Sequence, residues 1–482
     1  MRHALELEPP TYDPHATTTT AAAFIMHHVL EPLFTLNLKL EPAPMLAEGH
    51  SVSPDRRTYT IRLRRGVPFH HGRELTADDV MASLSRWGRL GVRARATFAN
   101  VESLIASDRY TVVFRLKEPD GLLITNLAWW AQPAVIYPKE IIDEVGLNPV
   151  RRFIGTGPYR FVEYLPDRHL RLARFDQYVA RSEEPSGMSG RRTAYLDELV
   201  YSPLPDAAVR VAAVQRNEFH YADAIPADEY ERLRRTPGVV PVRGALPQWL
   251  AFVLNKRAGP MVKTEIRHAF LAALDMEVIL RATYGHPEFY RLNPGLMPPE
   301  HYMWTDSGKE FYNQKNPDRA RELLRQAGYR GEPIRWLIVP GAWWSENPAT
   351  AAKPMLERAG FVVSLESMDW ATVVTRRARP ELWDVFVTTF SAVPDPTFLL
   401  ALSPAFPGWY ESREMQAFLS LMRRHTDPKV RLDMWRRAQA LFWKDAPTIN
   451  VGSGYLMDIR RPELKGLVGI PTTYYWNTWL ER

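Results

Sequence analysis

Length, composition and charge set broad limits on this protein. The chain has 482 residues, of which 45% are hydrophobic and 24% are charged. These proportions are typical of a globular protein and exclude disorder, collagen-like repeats and coiled coil as the main architecture. Ordinary domain sizes predict roughly two or three lobes. No apolar run approaches the ~18 residues of a membrane helix, and the absence of cysteine excludes disulfides, thiolate metal sites and a cysteine nucleophile.

The net charge of +6 is spread along the chain rather than gathered in one basic patch. The densest runs, Arg62–Arg65 and Arg232–Arg235, are short and interrupted by apolar residues. Nucleic-acid binding is therefore not expected, because a surface that follows phosphates needs clustered cations. The N-terminal residues show no charged segment followed by an apolar one, so they predict no signal peptide. We expect either a cytosolic protein or a mature form that has lost its leader.

The first half of the chain contains clear strand and helix signals. Apolar and polar residues alternate over Thr58–Leu63, which predicts a half-buried strand, and Thr111–Leu116 predicts a second one. Between them, Thr76 and Asp79 have the spacing of a capping box, so we expect a helix to begin there. A short helix is predicted at Ala207–Asn217.

The second half is predicted to alternate between strands and helices. A stretch rich in Pro and Gly at 236–247 predicts a crossing between lobes. After it, the alternation is typical of βαβ units and of a mostly parallel or mixed sheet. The predicted strands are Leu250–Leu254, Ile334–Val339, Phe361–Leu365 and Val385–Phe390, and the predicted helices are Glu265–Leu274, Pro317–Gly328, Ala349–Ala359 and Lys429–Leu441.

The sequence contains none of the common catalytic motifs. His-Glu-x-x-His and Gly-x-Ser-x-Gly are absent, and no phosphate-binding loop is complete. The glycines of Gly155-Thr156-Gly157 precede a predicted strand instead of a helix, so we expect them to serve a tight turn rather than a dinucleotide. The pairs His27-His28 and His70-His71 are poorly placed to chelate one ion, because neighbouring side chains on a strand face opposite ways. We predict no catalytic site, no metal and no cofactor.

Several segments occur in the order found in the family 5 extracellular solute-binding proteins. The stretch from Thr58 to Val80 resembles that family's LR.G..F.DG..LTA.DV pattern, with His71 where the pattern has Asp. The other matching segments are Ile154–Tyr159, Asn255 with Ile266–Ala269 and Ala273–Asp275, Ala320–Tyr329, Val393–Phe398, and Trp443–Pro447 with Ile449. Members of this family serve ABC importers for peptides, nickel, opines and some oligosaccharides.

The resemblance implies an α/β protein with the two-lobed periplasmic-binding-protein type II (cluster C) fold and a subdomain inserted in lobe I. Crossings near 240–248 and 448–454 would be hinges, and ligand would be enclosed between the lobes. The implied domains are lobe I at 1–25, 151–245 and 451–482, the inserted subdomain at 26–150, and lobe II at 246–450.

By the same resemblance, the protein is a non-enzymatic receptor that passes a small-molecule ligand to the permease subunits of an ABC importer. We expect a periplasmic monomer whose leader is absent from this chain, with no nucleic-acid partner and no membrane span. The alternative is a cytosolic ligand-sensing protein of the same fold, although neither flank of the matched region shows a helix-turn-helix. An enzyme with an unrecognised hydrolase site is a third hypothesis, which no motif supports.

Departures from the family pattern bear on the ligand. Peptide-binding members place an Asp, which pairs with the ligand's amino group, where this chain has Ala392. A buried ammonium without a carboxylate is costly, so a standard free-amine peptide is not expected. We predict a peptide-like, opine-like or other small polar ligand. The predicted ligand-binding residues are Phe390, Ala392, Pro394, Trp409, Trp249, Trp343, Trp344, Arg93 and Arg95. Trp343 and Trp344 are placed in a cleft-edge loop, and core packing is the alternative role for each tryptophan.

Overall fold

The chain divides into two compact units. The structure is a computed structural model that describes residues 1–6, 8–244, 246–425, 427–469 and 473–481, with the side chains of Val92, Arg93, Ala96 and Ala371 outside that description. Unit 1 comprises Met1–Ala245 and Met457–Arg482, and unit 2 comprises Leu246–Leu456. Unit 1 is therefore discontinuous in sequence, whereas unit 2 is one continuous segment.

Strands occur in both units, and those of unit 2 are β13 to β18. The strands are β1 (Arg2–Leu5), β2 (Phe34–Leu36), β3 (Pro42–Pro44), β4 (Ala47–Val52), β5 (Thr58–Leu63), β6 (Val101–Asp108), β7 (Thr111–Leu116), β8 (Tyr159–Leu165), β9 (His169–Arg174), β10 (Glu198–Pro203), β11 (Tyr221–Ile225), β12 (Val240–Arg243), β13 (Gln248–Leu254), β14 (Tyr290–Arg291), β15 (Ile334–Ile338), β16 (Val363–Ser367), β17 (Val385–Ser391), β18 (Thr448–Gly454), β19 (Met457–Arg460), β20 (Leu464–Lys465) and β21 (Trp479–Leu480).

Helices also occur in both units, and those of unit 2 are α8 to α14. The helices are α1 (Thr20–Met26), α2 (Ala77–Leu90), α3 (Val92–Ala99), α4 (Leu123–Ala128), α5 (Lys139–Val145), α6 (Ala207–Gln215), α7 (Tyr230–Leu233), α8 (Thr264–Ala273), α9 (Met276–Tyr284), α10 (Pro317–Gln326), α11 (Trp343–Arg358), α12 (Trp370–Arg376), α13 (Arg413–Arg424) and α14 (Pro428–Asp445). Within the described ranges, no helix is both long and apolar enough to cross a membrane.

Unit 1 is built on a mixed seven-stranded sheet in the order β12-β19-β11-β1-β10-β9-β8. Strand β1 lies parallel to β10 and β11, and the remaining neighbours are antiparallel. A second sheet, β4-β5-β7-β6, has four antiparallel strands. It contains both strands predicted for the first half of the chain, and it falls within 26–150. The separate subdomain proposed for that segment stays a prediction.

Helix α2 begins where the sequence predicts. The Asp79 carboxylate accepts hydrogen bonds from the backbone N–H and the hydroxyl of Thr76, at 2.9 and 3.0 Å, and the reciprocal bond completes the capping box. The stripe of Val80, Leu84 and Trp87 is buried. The cap satisfies backbone donors that would otherwise be unpaired, which fixes the first turn of the helix.

The turn Gly155-Thr156-Gly157 of unit 1 needs its glycines for space. A Cβ on Gly155 would lie 2.0 Å from the carbonyl oxygen of Val29, and one on Gly157 would lie 2.4 Å from that of His28. The Gly157 N–H donates to the Val29 carbonyl at 3.0 Å. The glycines are therefore structural, as predicted, and the cause is close approach of two backbones rather than an unusual φ angle.

Unit 2 contains a mixed six-stranded sheet in the order β14-β18-β13-β17-β15-β16. Strand β15 is parallel to β16 and β17, and the other pairs are antiparallel. The alternation of strands and helices thus predicts a mixed sheet correctly. Along β13 and β17 the register places Trp249 directly opposite Phe390, at the ends of both strands.

One prediction for unit 2 is wrong in detail. Helix α11 begins at Trp343 rather than at Ala349, because Pro348 is accommodated inside the helix instead of ending it. Trp343 and Trp344 therefore lie in the first turn of a helix and not in a loop. Strand β18 continues to Gly454 within the unit 2 sheet, and unit 2 ends at Leu456. The lobe boundaries that the resemblance implies stay a prediction.

Candidate functional site

An aromatic pair lies in unit 2 where β13 begins and β17 ends. The ring centroids of Trp249 and Phe390 are 5.0 Å apart at an interplanar angle of 38°, and each side chain is 7% exposed. Phe390 also packs on Phe406, at 5.5 Å. Antiparallel pairing fixes the two rings as cross-strand neighbours, so their geometry follows from the sheet register.

A pocket opens against this pair. The empty space of about 300 Å³ between its atoms includes open solvent, and only a small part of it is enclosed. We call it the Trp249 pocket. Its lining residues all belong to unit 2: Pro247, Trp249, Asn293, Gly295, Leu296, Met297, Pro298, Phe390, Ser391, Ala392, Leu399 and Ser453. Three of the residues predicted from the sequence to bind ligand thus line one pocket: Trp249, Phe390 and Ala392.

Asn293 also lines the Trp249 pocket, and its amide orders the loop that follows β14. Its Oδ1 accepts hydrogen bonds from the Gly295 N–H and from Trp304 Nε1, at 3.0 and 3.1 Å. Its Nδ2 donates to the Met297 carbonyl and to Ser453 Oγ, both at 3.2 Å. The amide is therefore fully used in ordering the loop, which leaves it no capacity to bind another molecule.

Helix α14 and strand β18 anchor the same loop. Gln439 Oε1 accepts the Leu296 N–H at 3.0 Å, and Asn450 Nδ2 donates to the Asn293 carbonyl at 2.9 Å. Both amide side chains are buried. A wall held by buried hydrogen bonds to two regular elements is pre-organised, which is a common property of small-molecule sites.

The electrostatics of the Trp249 pocket are unusual for a polar site. None of the residues that line it in the described part of the chain is acidic or basic. The indole Nε1 of Trp249 is buried and has no hydrogen-bond partner. Ser391 is exposed, and Ser453 contributes a hydroxyl. The pocket thus combines apolar surface with an unpaired donor and no net charge.

The loop that follows β17 is held in place by a hydrogen bond and an ion pair to other segments of unit 2. The carbonyl of Pro394 accepts a hydrogen bond from His301 Nε2 at 3.2 Å, and burial lowers the pKa of His301 to about 4. Asp395 is buried and pairs with the Arg431 guanidinium. Ala392 lines the Trp249 pocket and Pro394 does not, so the assignment of Pro394 to a ligand site stays a prediction.

The other predicted tryptophans pack elsewhere in unit 2. Trp409 lies 5.8 Å from Trp383 by ring centroids, with the Arg257 guanidinium 4.9 Å from the ring centroid. Trp343 contacts Tyr284 at 5.5 Å and Trp344 contacts Trp370 at 5.3 Å. None of the three lines the Trp249 pocket, so their assignment to a ligand site stays a prediction.

The two predicted arginines belong to helix α3 of unit 1. Arg95 is exposed, and its Nε donates to the Arg89 carbonyl at 2.9 Å. The side chain of Arg93 lies outside the described residues. A role for either arginine at a ligand carboxylate stays a prediction.

The histidine pairs of unit 1 have structural partners. His70 Nε2 donates to the Gly157 carbonyl at 3.0 Å while Nδ1 accepts the Gly155 N–H at 3.2 Å. His28 accepts the Tyr475 N–H at 2.8 Å through Nε2. Burial lowers the pKa of His70 to about 4 and that of His28 to about 3. In the part of the chain that the structure describes, no group of three or more His, Asp or Glu is arranged to hold a metal ion.

Comparison with known proteins identifies the chain. The model of the bacterial extracellular solute-binding proteins, family 5, matches residues 41–406. The chain belongs to that family. Its relatives are binding proteins of transporters rather than enzymes, and its fold is the α/β type II fold of two-lobed periplasmic binding proteins.

Individual members of family 5 resemble the whole chain. A probable peptide ABC transporter periplasmic-binding protein of Sinorhizobium fredii is 27% identical over 99% of this chain and 92% of its own. The glutathione-binding protein GsiB of Salmonella choleraesuis is 25% identical over 96% and 90%. The binding protein AgaA from A.tumefacien R10, solved with agropinic acid, has a TM-score of 0.81 at 22% identity, covering 100% of this chain and 98% of its own.

Proposed function

We propose that this family 5 protein binds a small polar solute at the Trp249 pocket and delivers it to the permease of an ABC importer. The observation that supports this most is the Trp249–Phe390 pair, which gives a pre-organised loop an apolar wall without any charge. Flat ring surface beside a few fixed polar groups is the usual composition of a small-molecule site. The relatives named above, which bind peptides, glutathione or agropinic acid by their names, set the solute class as peptide-like or opine-like.

The same proposal includes the cellular location of the receptor and its protein partner. The family is extracellular by description, and we place this member in the periplasm as a monomer. A receptor of this kind meets permease subunits as its protein partner. Expression of the full-length gene followed by cell fractionation tests the location, and a cytoplasmic pool alone would contradict it.

A thermal-shift screen of the purified protein tests solute binding. The panel contains di- to pentapeptides, N-acetylated peptides, opines, nickel with histidine, and oligosaccharides. A solute at ~100 times its Kd stabilises the folded state by roughly 2.7 kcal/mol, which raises the melting temperature by a few degrees at this size. Silence across the panel would contradict the proposal.

Two variants locate the binding site. Phe390→Leu removes one ring of the pair that lines the pocket, and we expect it to lose at least half of the solute-induced shift. Phe252→Leu is the matched control: Phe252 also lies in the unit 2 sheet, but it packs on Trp336 at 4.8 Å and does not line the pocket. The control lowers the starting melting temperature and keeps the shift. A full shift in Phe390→Leu would place the solute elsewhere.

A further inference from the structure

Arg377 of unit 2 places a cation against three aromatic rings. Its guanidinium carbon lies 5.2 Å from the ring centroid of Trp370, 5.5 Å from that of Phe386 and 6.0 Å from that of Phe406. The backbone beside it is fixed, since the Arg377 carbonyl accepts the indole N–H of Trp383 at 3.1 Å. The ring contacts hold the cation in place, but they provide no oxygen acceptor for its five N–H donors.

The guanidinium of Arg377 is unpaired and is reached by solvent. Among the residues that the structure describes, none accepts a hydrogen bond from it or forms an ion pair with it, whereas the neighbouring Arg376 pairs with Glu366 at 2.8 Å. The side chain is half-buried. Trp249 Nε1 is one of the buried nitrogens that lack a partner, but the Arg377 nitrogens are not, so they keep contact with solvent. Arg377 therefore presents donors that an incoming molecule can use.

A second arginine of unit 2 shows what Arg377 lacks. The Arg257 guanidinium lies 4.9 Å from the ring centroid of Trp409, and it also forms an ion pair with Glu411. Burial lowers the pKa of Arg377, and no carboxylate in the described part of the chain counteracts that effect, yet an arginine stays protonated at neutral pH. A partly desolvated cation without a counter-ion is unfavourable, and an anion that binds beside it reduces this cost.

Aromatic contacts connect this cation to the Trp249 pocket. Phe386 and Phe390 are four residues apart on β17, so their side chains lie on the same face of the sheet. Phe406 contacts the guanidinium and also packs on Phe390, with ring centroids 5.5 Å apart. Because Phe390 lines the pocket, the guanidinium and the pocket are two ring contacts apart. An extended tripeptide or tetrapeptide, roughly 10 to 14 Å long, is long enough to contact both.

We infer that Arg377 determines specificity by binding a carboxylate of the solute through its guanidinium. The planar fork of an arginine matches a carboxylate with two parallel hydrogen bonds, which strengthens the contact and fixes its direction. The inference rests on the proposed function and adds an anionic group to the solute that the receptor selects. It assigns this role to unit 2, whereas the sequence predicts it for Arg93 and Arg95 of unit 1.

A retention assay tests the inference with defined probes. Tripeptides without Asp or Glu are prepared with a free C-terminal carboxylate and with an amidated C-terminus, each with a free and with an acetylated amine. Equal amounts of all forms are incubated with the dialysed protein and passed through a desalting column, and mass spectrometry counts the members that the protein retains. We expect carboxylate forms to be enriched about tenfold over their amides, as a charge-assisted hydrogen bond predicts.

Two variants of Arg377 separate charge from geometry. Arg377→Gln removes the cation and should reduce the enrichment of carboxylate forms below about threefold. Arg377→Lys keeps the charge without the planar fork, so its enrichment should lie between those of the natural protein and Arg377→Gln. The ratio between two forms of one peptide is the readout, because a purely structural defect would lower the retention of both forms alike.

Arg257→Gln is the matched control. It removes another guanidinium that lies on an indole ring of unit 2, but one that Glu411 already occupies. The control should keep the full preference for carboxylate forms. Melting curves of all three variants establish that they are folded, so that a lost preference reports on the site.

The other outcomes overturn the inference in distinct ways. Equal retention of carboxylate and amide forms, or an unchanged preference in Arg377→Gln, contradicts the role of Arg377. If no tripeptide is retained and an opine binds equally well to Arg377→Gln and to the natural protein, the inference also fails. If a neutral oligosaccharide is the solute that binds, the inference fails and the proposed function stands. If no solute of any class binds, both fail.

Discussion

Two buried polar regions of this protein handle charge in opposite ways. In unit 1, Glu31 and Arg192 are both fully buried and lie 3.2 Å apart, and Glu31 also accepts hydrogen bonds from Thr156 and Tyr178 at 2.9 Å. In unit 2, the Trp249 pocket has no charged lining and leaves one donor unpaired. We call the Glu31–Arg192 pair the saturated centre, because its polar groups are already paired within the protein. It therefore stabilises the fold and does not bind a ligand. The lining of the Trp249 pocket contains no ion pair of this kind, which is what we expect of a surface that meets a solute.

The largest effect is expected from breaking the saturated centre. Arg192→Ala leaves the Glu31 carboxylate buried without its cation, which should reduce the free energy of unfolding by roughly 3 to 5 kcal/mol. Urea denaturation followed by circular dichroism measures the loss. Arg191→Ala is the control, because Arg191 and its partner Glu184 are exposed and such pairs contribute below about 1 kcal/mol. Equal losses in both variants would show that the buried pair stabilises the protein no more than the exposed pair does.

Asp458 of unit 1 is a half-buried acid, and its carboxyl lies near a second acid, Asp223. Burial, and then the charge of Asp223, raise its pKa to about 6. Tyr221 donates its hydroxyl to Asp458 at 2.5 Å, and His3 lies 3.6 Å from Asp223. A carboxyl whose pKa is higher in the folded state stabilises the fold fully below its unfolded pKa, and that contribution is lost as the pH rises through about 6.

Replacing Asp458 tests this assignment. The stability of Asp458→Asn relative to the natural protein should rise by roughly 2 to 3 kcal/mol between pH 4 and pH 7.5, because the variant has no proton to lose. Urea titrations at both values provide the difference. A difference that does not change with pH would show that Asp458 has an ordinary pKa.

The glycine turn beside the saturated centre should tolerate little change. Gly157→Ala places a Cβ 2.4 Å from the His28 carbonyl oxygen, so the backbone must shift, at a cost of about 1 to 3 kcal/mol. Gly49→Ala is the control, since a Cβ there meets nothing within 4 Å. Urea denaturation of the two variants compares them, and a neutral Gly157→Ala would contradict the close packing of the two backbones.

Adding a charge to the Trp249 pocket should change which solutes it binds. Ala392→Asp introduces a carboxylate into the lining of the Trp249 pocket, and we expect retention of free-amine tripeptides to rise about tenfold through a new charge pair. Ala405→Asp adds the same charge at an exposed position of unit 2 and should have no such effect. Equal behaviour of the two variants in the retention assay would place the pocket outside the binding site.

Local sequence patterns predicted much of the fold because they depend on interactions between neighbouring residues. The alternation over Thr58–Leu63 and the capping box at Thr76 concern neighbouring residues, and both are confirmed. The start of α11 was missed because Pro348 usually marks the beginning of a helix, whereas here it lies inside one. Packing around that helix overrides the local signal.

The site was only partly predictable for a related reason. Trp249 and Phe390 are aromatic residues at strand ends, which singles them out in the sequence. Asn293 and Ser453 are ordinary polar residues in separate segments, and only the folded loop joins them through a hydrogen bond. Trp409 carries the same aromatic signal as Trp249, yet it packs against Trp383. Aromatic character alone does not separate a pocket wall from a core.

The Trp249 indole nitrogen provides the most direct test of the account. The 15 tryptophans are labelled with ¹⁵N at Nε1, and the spectra of Trp249→Phe and Trp336→Phe assign their two signals. The protein is then titrated with the solute that gives the largest thermal shift. We predict that the Trp249 signal changes position when the solute binds against this residue, while the Trp336 signal stays in place. Saturable binding that leaves the Trp249 signal unmoved would contradict the account.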